Sequence, residues 1–346
     1  MQNTRAIAAP TDTVVVTGAG GFIGGHFVAD LRRQGFTHIR AGDSKPPKEW
    51  YQKFDDVENV SANLERLDAC EAVSDGAAIV YNFAADMGGM GFIENHKADC
   101  MLSVLINTHM LKAARAADVR RFLFSSSACV YAADRQSRPD VVALKESDAY
   151  PAMAEDGYGW EKLFSERMCR HFFEDYGVVT RVVRFHNVYG PLGTFDGGRE
   201  KAPAAICRKV AQAKLSGNLE IEIWGDGEPT RSFMYIDDCV AGTQAITASD
   251  FAGPINLGSS ELVSVNQLVS VVEEIAGVKL ERRYNPNAPT GVRGRNSDNT
   301  LIREVLGWEP SIPLRQGLEQ TYKWIYDELS AGHHDSVFTR DIRRAA

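Results

Sequence analysis

Three valines, Val14-Val15-Val16, lead directly into Thr-Gly-Ala-Gly-Gly-Phe-Ile-Gly, so Gly18, Gly21 and Gly24 fall three residues apart between a strand and a helix. No other stretch constrains the fold so strongly. Glycines at those points permit a tight turn and let the backbone approach a pyrophosphate. The N–H groups and dipole of the helix that follows favour its negative charge. Asp43 closes the next apolar run about 20 residues further on. A carboxylate there accepts hydrogen bonds from an adenosine ribose and repels a 2′-phosphate. Gly18, Gly21, Phe22, Ile23, Gly24 and Asp43 are therefore read as a dinucleotide site that favours NAD over NADP.

The pattern that follows predicts βαβ units and a parallel sheet. Residues 14–16, 39–42, 79–83, 121–125 and 180–185 read as strands, and residues 23–34, 96–117 and 157–176 as amphipathic helices. After Gly190-Pro191 helices shorten, Pro and Gly become frequent, and 221–224 and 232–235 read as isolated strands. The fold class expected is α/β: a Rossmann-type doubly wound parallel sheet with a smaller, interleaved C-terminal substrate lobe. Its parts would be a loose tail over 1–12, the sheet domain over 13–185 with a returning segment near 234–249, the lobe mainly over 186–330, and a second tail over 331–346.

Charge narrows the partners. Thirty-eight basic against 46 acidic residues leave a net −8, which disfavours nucleic acid or an anionic membrane, since both require a basic surface. No apolar run approaches the roughly 18 residues of a membrane span, and the opening residues carry no apolar signal core. Six cysteines, none in a C-x-x-C pair, point to a reduced, cytoplasmic chain without a zinc module or other metal site.

The chemistry is carried by Tyr158-Gly-Trp-Glu-Lys162, which places a phenol and an ammonium on one helical face. A phenol with a reference pKa near 10 needs such a neighbour to act as phenolate. Ser125-Ser126-Ser127 ends a strand upstream, where a hydroxyl can reach a ligand at the carboxyl edge of the sheet. These groups suit removal of a hydroxyl proton while hydride leaves the same carbon. A thiol, Cys129, follows Ser127 by two residues, and Lys201 stands in a glycine-opened loop, Gly197-Gly198-Arg199-Glu200-Lys201. On spacing alone these two are equally well a packed thiol and a solvated charge.

With the glycine turn, the serine-rich strand end and Y-x-x-x-K together, the chain resembles the extended short-chain dehydrogenases/reductases that modify nucleotide sugars. The strings Ala84-Ala85-Asp86-Met87-Gly88-Gly89-Met90-Gly91-Phe92, Gly197–Ala205 and Gly291-Val292-Arg293-Gly294-Arg295-Asn296-Ser297-Asp298-Asn299 resemble the branch of that family that epimerises GDP-mannose at C3 and C5.

That resemblance implies an NAD-dependent isomerase. Ser127, Tyr158 and Lys162 would oxidise C4, with Tyr158 and Lys162 also at the cofactor, and Cys129 and Lys201 would serve as acid and base at C5 and C3. It further implies that Gly88, Asn187, Glu200, Ala202 and Lys209 contact the nucleotide sugar, and that Arg231 and Arg295 grip its diphosphate, which suits the bidentate geometry of a guanidinium. Pro229 and the stretch Ala132–Arg135 depart from the family pattern. The product would be GDP-L-galactose, and relatives imply a homodimer. Another nucleotide-sugar epimerase, acting at C4 or at C3 or C5 alone, is the alternative within the family. A dinucleotide sensor without turnover is the alternative outside it, and a sensor has no need of the Ser127, Tyr158 and Lys162 trio.

Overall fold

The computed structural model describes residues 7–332. The chain opens with β1 (Val14–Thr17), α1 (Phe22–Arg33), β2 (Ile39–Asp43), β3 (Glu58–Ser61), α2 (Leu67–Ser74) and β4 (Ile79–Asn82). Next come α3 (Met90–Asn95), α4 (Lys97–Ala116), β5 (Arg121–Ser127), α5 (Tyr158–Tyr176), β6 (Thr180–Phe185) and β7 (Val188–Tyr189). The remainder is α6 (Ala202–Ser216), β8 (Glu220–Trp224), β9 (Thr230–Ser232), β10 (Met234–Tyr235), α7 (Ile236–Ala248), β11 (Pro254–Leu257), β12 (Leu262–Ser264), α8 (Val265–Ala276), β13 (Glu281–Asn285), β14 (Gly294–Arg295), α9 (Thr300–Leu306) and α10 (Leu314–Ser330).

Seven strands form one parallel sheet in the order β11-β6-β5-β4-β1-β2-β3. The valines of β1 show why it is buried on both sides: Val14 and Val16 join one apolar cluster and Val15 the other, as a side-chain period of two requires. The strand order reverses between β1 and β4, so a crevice opens beyond their carboxyl ends, where such sheets bind ligands. At that point Thr17 Oγ1 donates to Asn82 Oδ1 at 2.7 Å and ties the two strand ends together.

The second half interleaves with the first. Helix α7 packs on α1, and β11 joins the main sheet beside β6, so the returning chain reaches Leu257, past the 234–249 read from sequence. Strands β9 and β10 replace the single strand expected over 232–235. The sheet β12-β9-β14 and the pair β13-β8 build the rest of the lobe with α6, α8 and α10.

Residues 7–12, read from sequence as part of a loose tail, are anchored instead. Ala8 is buried, Thr37 Oγ1 bonds the Pro10 carbonyl, and Asp12 pairs with Arg120. Their hydrogen bonds run to residues far along the chain, which no local pattern displays. Residues 1–6 and 333–346, the rest of the expected tails, lie outside the described residues.

Candidate active site

The glycine turn has the shape its sequence requires. Gly21 N donates to the Gly18 carbonyl at 3.0 Å, and Gly18 has φ 67°. A methyl group on Gly24 would stand 2.2 Å from that carbonyl oxygen, so only glycine lets α1 start this close to β1. No side chain caps the start of α1, which leaves its first N–H groups to an anion. Asp43 Oδ2 accepts from Gly20 N at 3.0 Å and Oδ1 from Lys45 N at 2.9 Å, so the carboxylate also braces the turn. Phe22 turns toward the ring of His26, while Ile23 packs against the core beneath the sheet.

Strand β5 delivers Ser127 to the crevice, where its hydroxyl accepts from Cys129 N at 3.2 Å. Tyr158 is the first residue of α5 and Lys162 stands one turn further on. Burial pushes the Tyr158 phenol well above its ordinary range; the charges of Cys129 and Glu161 add to this, and a hydrogen bond with Ser127 opposes it. Lys162 is 1% exposed, and its Nζ has no hydrogen-bond partner. That ammonium lies 3.6 Å from Glu161 Oε2 and 5.4 Å from the centre of the Tyr158 ring.

Behind it runs a buried polar chain that connects β1 to α5. Asn82 Nδ2 donates to Asn107 Oδ1 at 2.9 Å, and Asn107 Nδ2 donates to Glu161 Oε1 at 2.5 Å. Ser165 Oγ donates to the same carboxylate oxygen at 2.8 Å. Sequence reading missed Asn107 and Glu161. Their only signal was polarity at helix positions that face inward.

Cys129 sits in the short turn after β5 and is 6% exposed. Arg295 Nη1 approaches its sulfur at 3.6 Å. Lys201 precedes the first residue of α6; burial lowers its pKa, and the neighbouring sulfurs of Cys129 and Cys239 oppose that fall. Burial brings Arg231 down to about 10, again opposed by Cys129. Arg231 and Arg295 are register partners on β9 and β14, so one strand pairing presents both guanidiniums to this corner. Arg231 is braced by the carbonyls of Thr230 at 2.8 Å and Val292 at 2.5 Å.

Two glycine-rich loops meet beside this cluster, the first bringing Met87 and Phe92 against Cys129. Gly89 N donates to the Arg199 carbonyl at 3.0 Å, and a methyl on Gly89 would stand 2.2 Å from the Glu200 carbonyl oxygen. Gly88 packs beside Phe92 and Arg199 in the same contact. Arg199 pairs with Asp86 at 2.6 Å and covers the Phe92 ring. Within its loop the Glu200 carboxylate accepts from Gly198 N and Arg208, and Ala202 opens α6. Asn187, at φ 42°, donates to the Ser232 carbonyl at 3.0 Å and links β7 to β9. Lys209 stands apart from this cluster, about 12 Å along α6 from Lys201. Its Nζ bonds the Glu222 carbonyl at 2.8 Å beside Trp224.

Residues 14–258 match the family model described as the NAD dependent epimerase/dehydratase family. The chain belongs to that family. It is 47% identical over 317 residues to GDP-mannose 3,5-epimerase 1 of Oryza sativa subsp. japonica, covering 91% of this chain and 82% of the relative. To the GDP-mannose 3,5-epimerase of Arabidopsis thaliana it is 45% identical with the same coverage. Among solved structures, UDP-glucose 4-epimerase of Thermotoga maritima superposes with a TM-score of 0.83 at 25% identity, over 92% of this chain and 99% of that one.

NAD is the cofactor of the epimerase/dehydratase family, and the residues here fit it. The uncapped helix start and the Gly18–Gly24 cradle would suit its pyrophosphate, Asp43 its adenosine ribose, and the Lys162 ammonium, which makes no hydrogen bond, the ribose beside its nicotinamide. When bound, it supplies reversible acceptance of hydride from a sugar carbon. Around that site the chain sets the Tyr158 phenol beside the Ser127 hydroxyl, with the Lys162 ammonium 5.4 Å from the centre of the phenol ring.

Proposed function

We propose that this chain converts GDP-mannose to GDP-L-galactose by transient oxidation at C4, inversion at C5 and C3, and reduction again at C4. The observation that carries the reading is that the Cys129 thiol packs in one buried cluster with Tyr158 and its backbone N–H donates to Ser127, with Lys201 near enough to feel its charge. An oxidation site alone needs only the serine, tyrosine and lysine; a thiol and an amine beside it add a second proton-transfer pair. Tyr158, as phenolate beside the Lys162 ammonium, would take the C4 hydroxyl proton while the C4 hydride passes to bound NAD, and both return in the final reduction. The resulting ketone makes the hydrogens at C3 and C5 acidic, and Cys129 Sγ and Lys201 Nζ remove and return them from opposite faces. The plant relatives, which bear the name of this activity at 45–47% identity, support the choice of sugar nucleotide. Arg231, Arg295, Asn187, Lys209, Gly88 and the backbone of Glu200–Ala202 form its binding surface in this reading.

Incubation with GDP-mannose in D₂O should place deuterium at C3 and C5. Inversion at C4 with no label at either carbon would replace this reading with a 4-epimerase.

The same reading includes a homodimer in the cytoplasm. Helices α4 and α5 pack side by side and expose Met101, Leu102, Leu105, Trp160 and Phe164, an apolar stripe suited to a two-fold four-helix contact. Light scattering on the purified protein tests it, and a monomer at micromolar concentration would end it. All six cysteines are unpaired and buried, in keeping with a reducing compartment; cell fractionation tests that placement. Among the described residues no helix is long and apolar enough to cross a membrane.

A further inference from the structure

The guanidinium of Arg295 is held on three sides. Nε donates to Gln136 Oε1 at 2.7 Å, Nη2 lies against the Glu155 carboxylate as an ion pair without a hydrogen bond, and Nη1 meets the Cys129 sulfur at 3.6 Å. The two protein anchors are themselves fixed. Gln136 is fully buried and its Nε2 bonds the carbonyls of Tyr131 and Ala132. Glu155 N donates to the carbonyl of Cys129 itself at 3.0 Å. A fork with five donors keeps one orientation only when several of them are satisfied. Here one hydrogen bond to Gln136 and one ion pair with Glu155 leave one edge aimed at sulfur. Neither Gln136 nor Glu155 has a part in the chemistry described above, and both belong to segments that sequence reading passed over.

We infer that Gln136 and Glu155 are positioning residues that seat Arg295 as the fixed cationic neighbour of the Cys129 sulfur during proton transfer. The inference rests on the acid/base reading of Cys129 given under Proposed function. Gln136 fixes direction without charge. Glu155 fixes it while offsetting part of the charge, which keeps the arginine from acting solely as an anion anchor.

Site-resolved alkylation of Cys129 in the NAD-loaded protein tests this without substrate. A guanidinium seated at the sulfur favours negatively charged iodoacetate over neutral iodoacetamide, by about tenfold relative to a free thiol. Arg295→Met should abolish that preference, and Gln136→Leu should cut it severalfold. Glu155→Gln keeps the anchor and removes its charge, so the preference should rise. Bound NAD and an unchanged melting temperature certify each variant as folded, and Gln136→Met serves if the leucine variant fails. A Cys129 that shows no preference for iodoacetate, that neither reagent reaches, or whose preference survives Gln136→Leu or Gln136→Met overturns the inference. With GDP-mannose, Gln136→Leu should slow deuterium uptake at C3 and C5 while reduced nicotinamide still forms. Absence of deuterium uptake in the wild type would instead sink the reading of function and leave the alkylation result standing.

Discussion

The Lys162 ammonium and the Glu161 carboxylate lie 3.6 Å apart on one buried helix face, and neither facing atom makes a hydrogen bond. Two adjacent residues that both turn inward with opposite charge balance each other's desolvation. The other oxygen of Glu161 is held by Asn107 and Ser165, so the carboxylate is fixed and the ammonium is left with donors for a ligand.

Removing the cation should therefore harm stability as well as chemistry. Lys162→Met leaves a buried, uncompensated carboxylate, expected to cost about 3–5 kcal/mol, and should abolish the reduced-nicotinamide signal. The double variant with Glu161→Gln should regain most of that stability and none of the signal. Urea denaturation beside single-turnover absorbance separates the two effects. A Lys162→Met protein as stable as wild type would refute the pairing.

Lys201 links burial to pH. Its folded pKa is lower than the ordinary 10.5, so within that interval the unfolded chain binds more protons and stability rises with pH. Below the folded value the burial penalty is fully present. Lys201→Met should thus melt above wild type at pH 7, with the gap narrowing as pH approaches 10.5, and should lose deuterium exchange. A gap that stays constant over that range would contradict the burial assigned to this ammonium.

The two close glycine contacts should fail differently. Gly24→Ala forces a methyl against the Gly18 carbonyl and should weaken NAD binding tenfold or more, about 1.4 kcal/mol. Gly89→Ala meets the Glu200 carbonyl, parts the loops next to Lys201, and should lower turnover with NAD affinity intact. Calorimetric titration with NAD and steady-state assay of both variants distinguish the sites. Equal losses in the two would show that the loops do not act separately.

Beneath the site, Arg184 makes a bidentate pair with Glu166 at 2.8 and 2.7 Å, and Ser126 donates to the same carboxylate at 2.5 Å. Glu166→Gln should lower stability by about 3–5 kcal/mol, read as a drop in melting temperature. An unchanged melting point would argue that the arginine finds other partners.

Next to that pair His186 Nε2 donates to Asn256 Oδ1 at 3.0 Å, and burial brings its pKa from 6.5 down to about 4. A depressed folded value means stability is complete above 6.5 and is lost as pH falls toward 4, by about 3 kcal/mol in all. His186→Gln should flatten the stability profile between pH 6.5 and 4. A profile as steep as wild type would assign the acid loss to other groups.

Much of this was legible along the chain, for a local reason. A turn, a strand and a helix each draw their form from neighbours a few residues away, so Gly18–Gly24, β6 and α5 could be read to within a residue. Tyr158 and Lys162 share one helical turn, and that spacing alone juxtaposes them. Strand β3 escaped notice because Glu58–Ser61 is an edge strand with little apolar pattern. Strand β11 escaped because its pairing with β6 spans some seventy residues.

The sequence by itself determined the parallel sheet, the glycine turn and the placing of Tyr158 and Lys162 on one helical turn, because each follows from a short-range period or spacing. Only the tertiary structure decided what surrounds Cys129. Lys201 arrives from α6, Arg231 and Arg295 from two paired strands, Gln136 and Glu155 from turns on either side of a loop. Those contacts join residues up to 166 positions apart, and chain connectivity carries no record of them. They exist because folding buries these charges together, where each must find a partner or bear the loss of water alone.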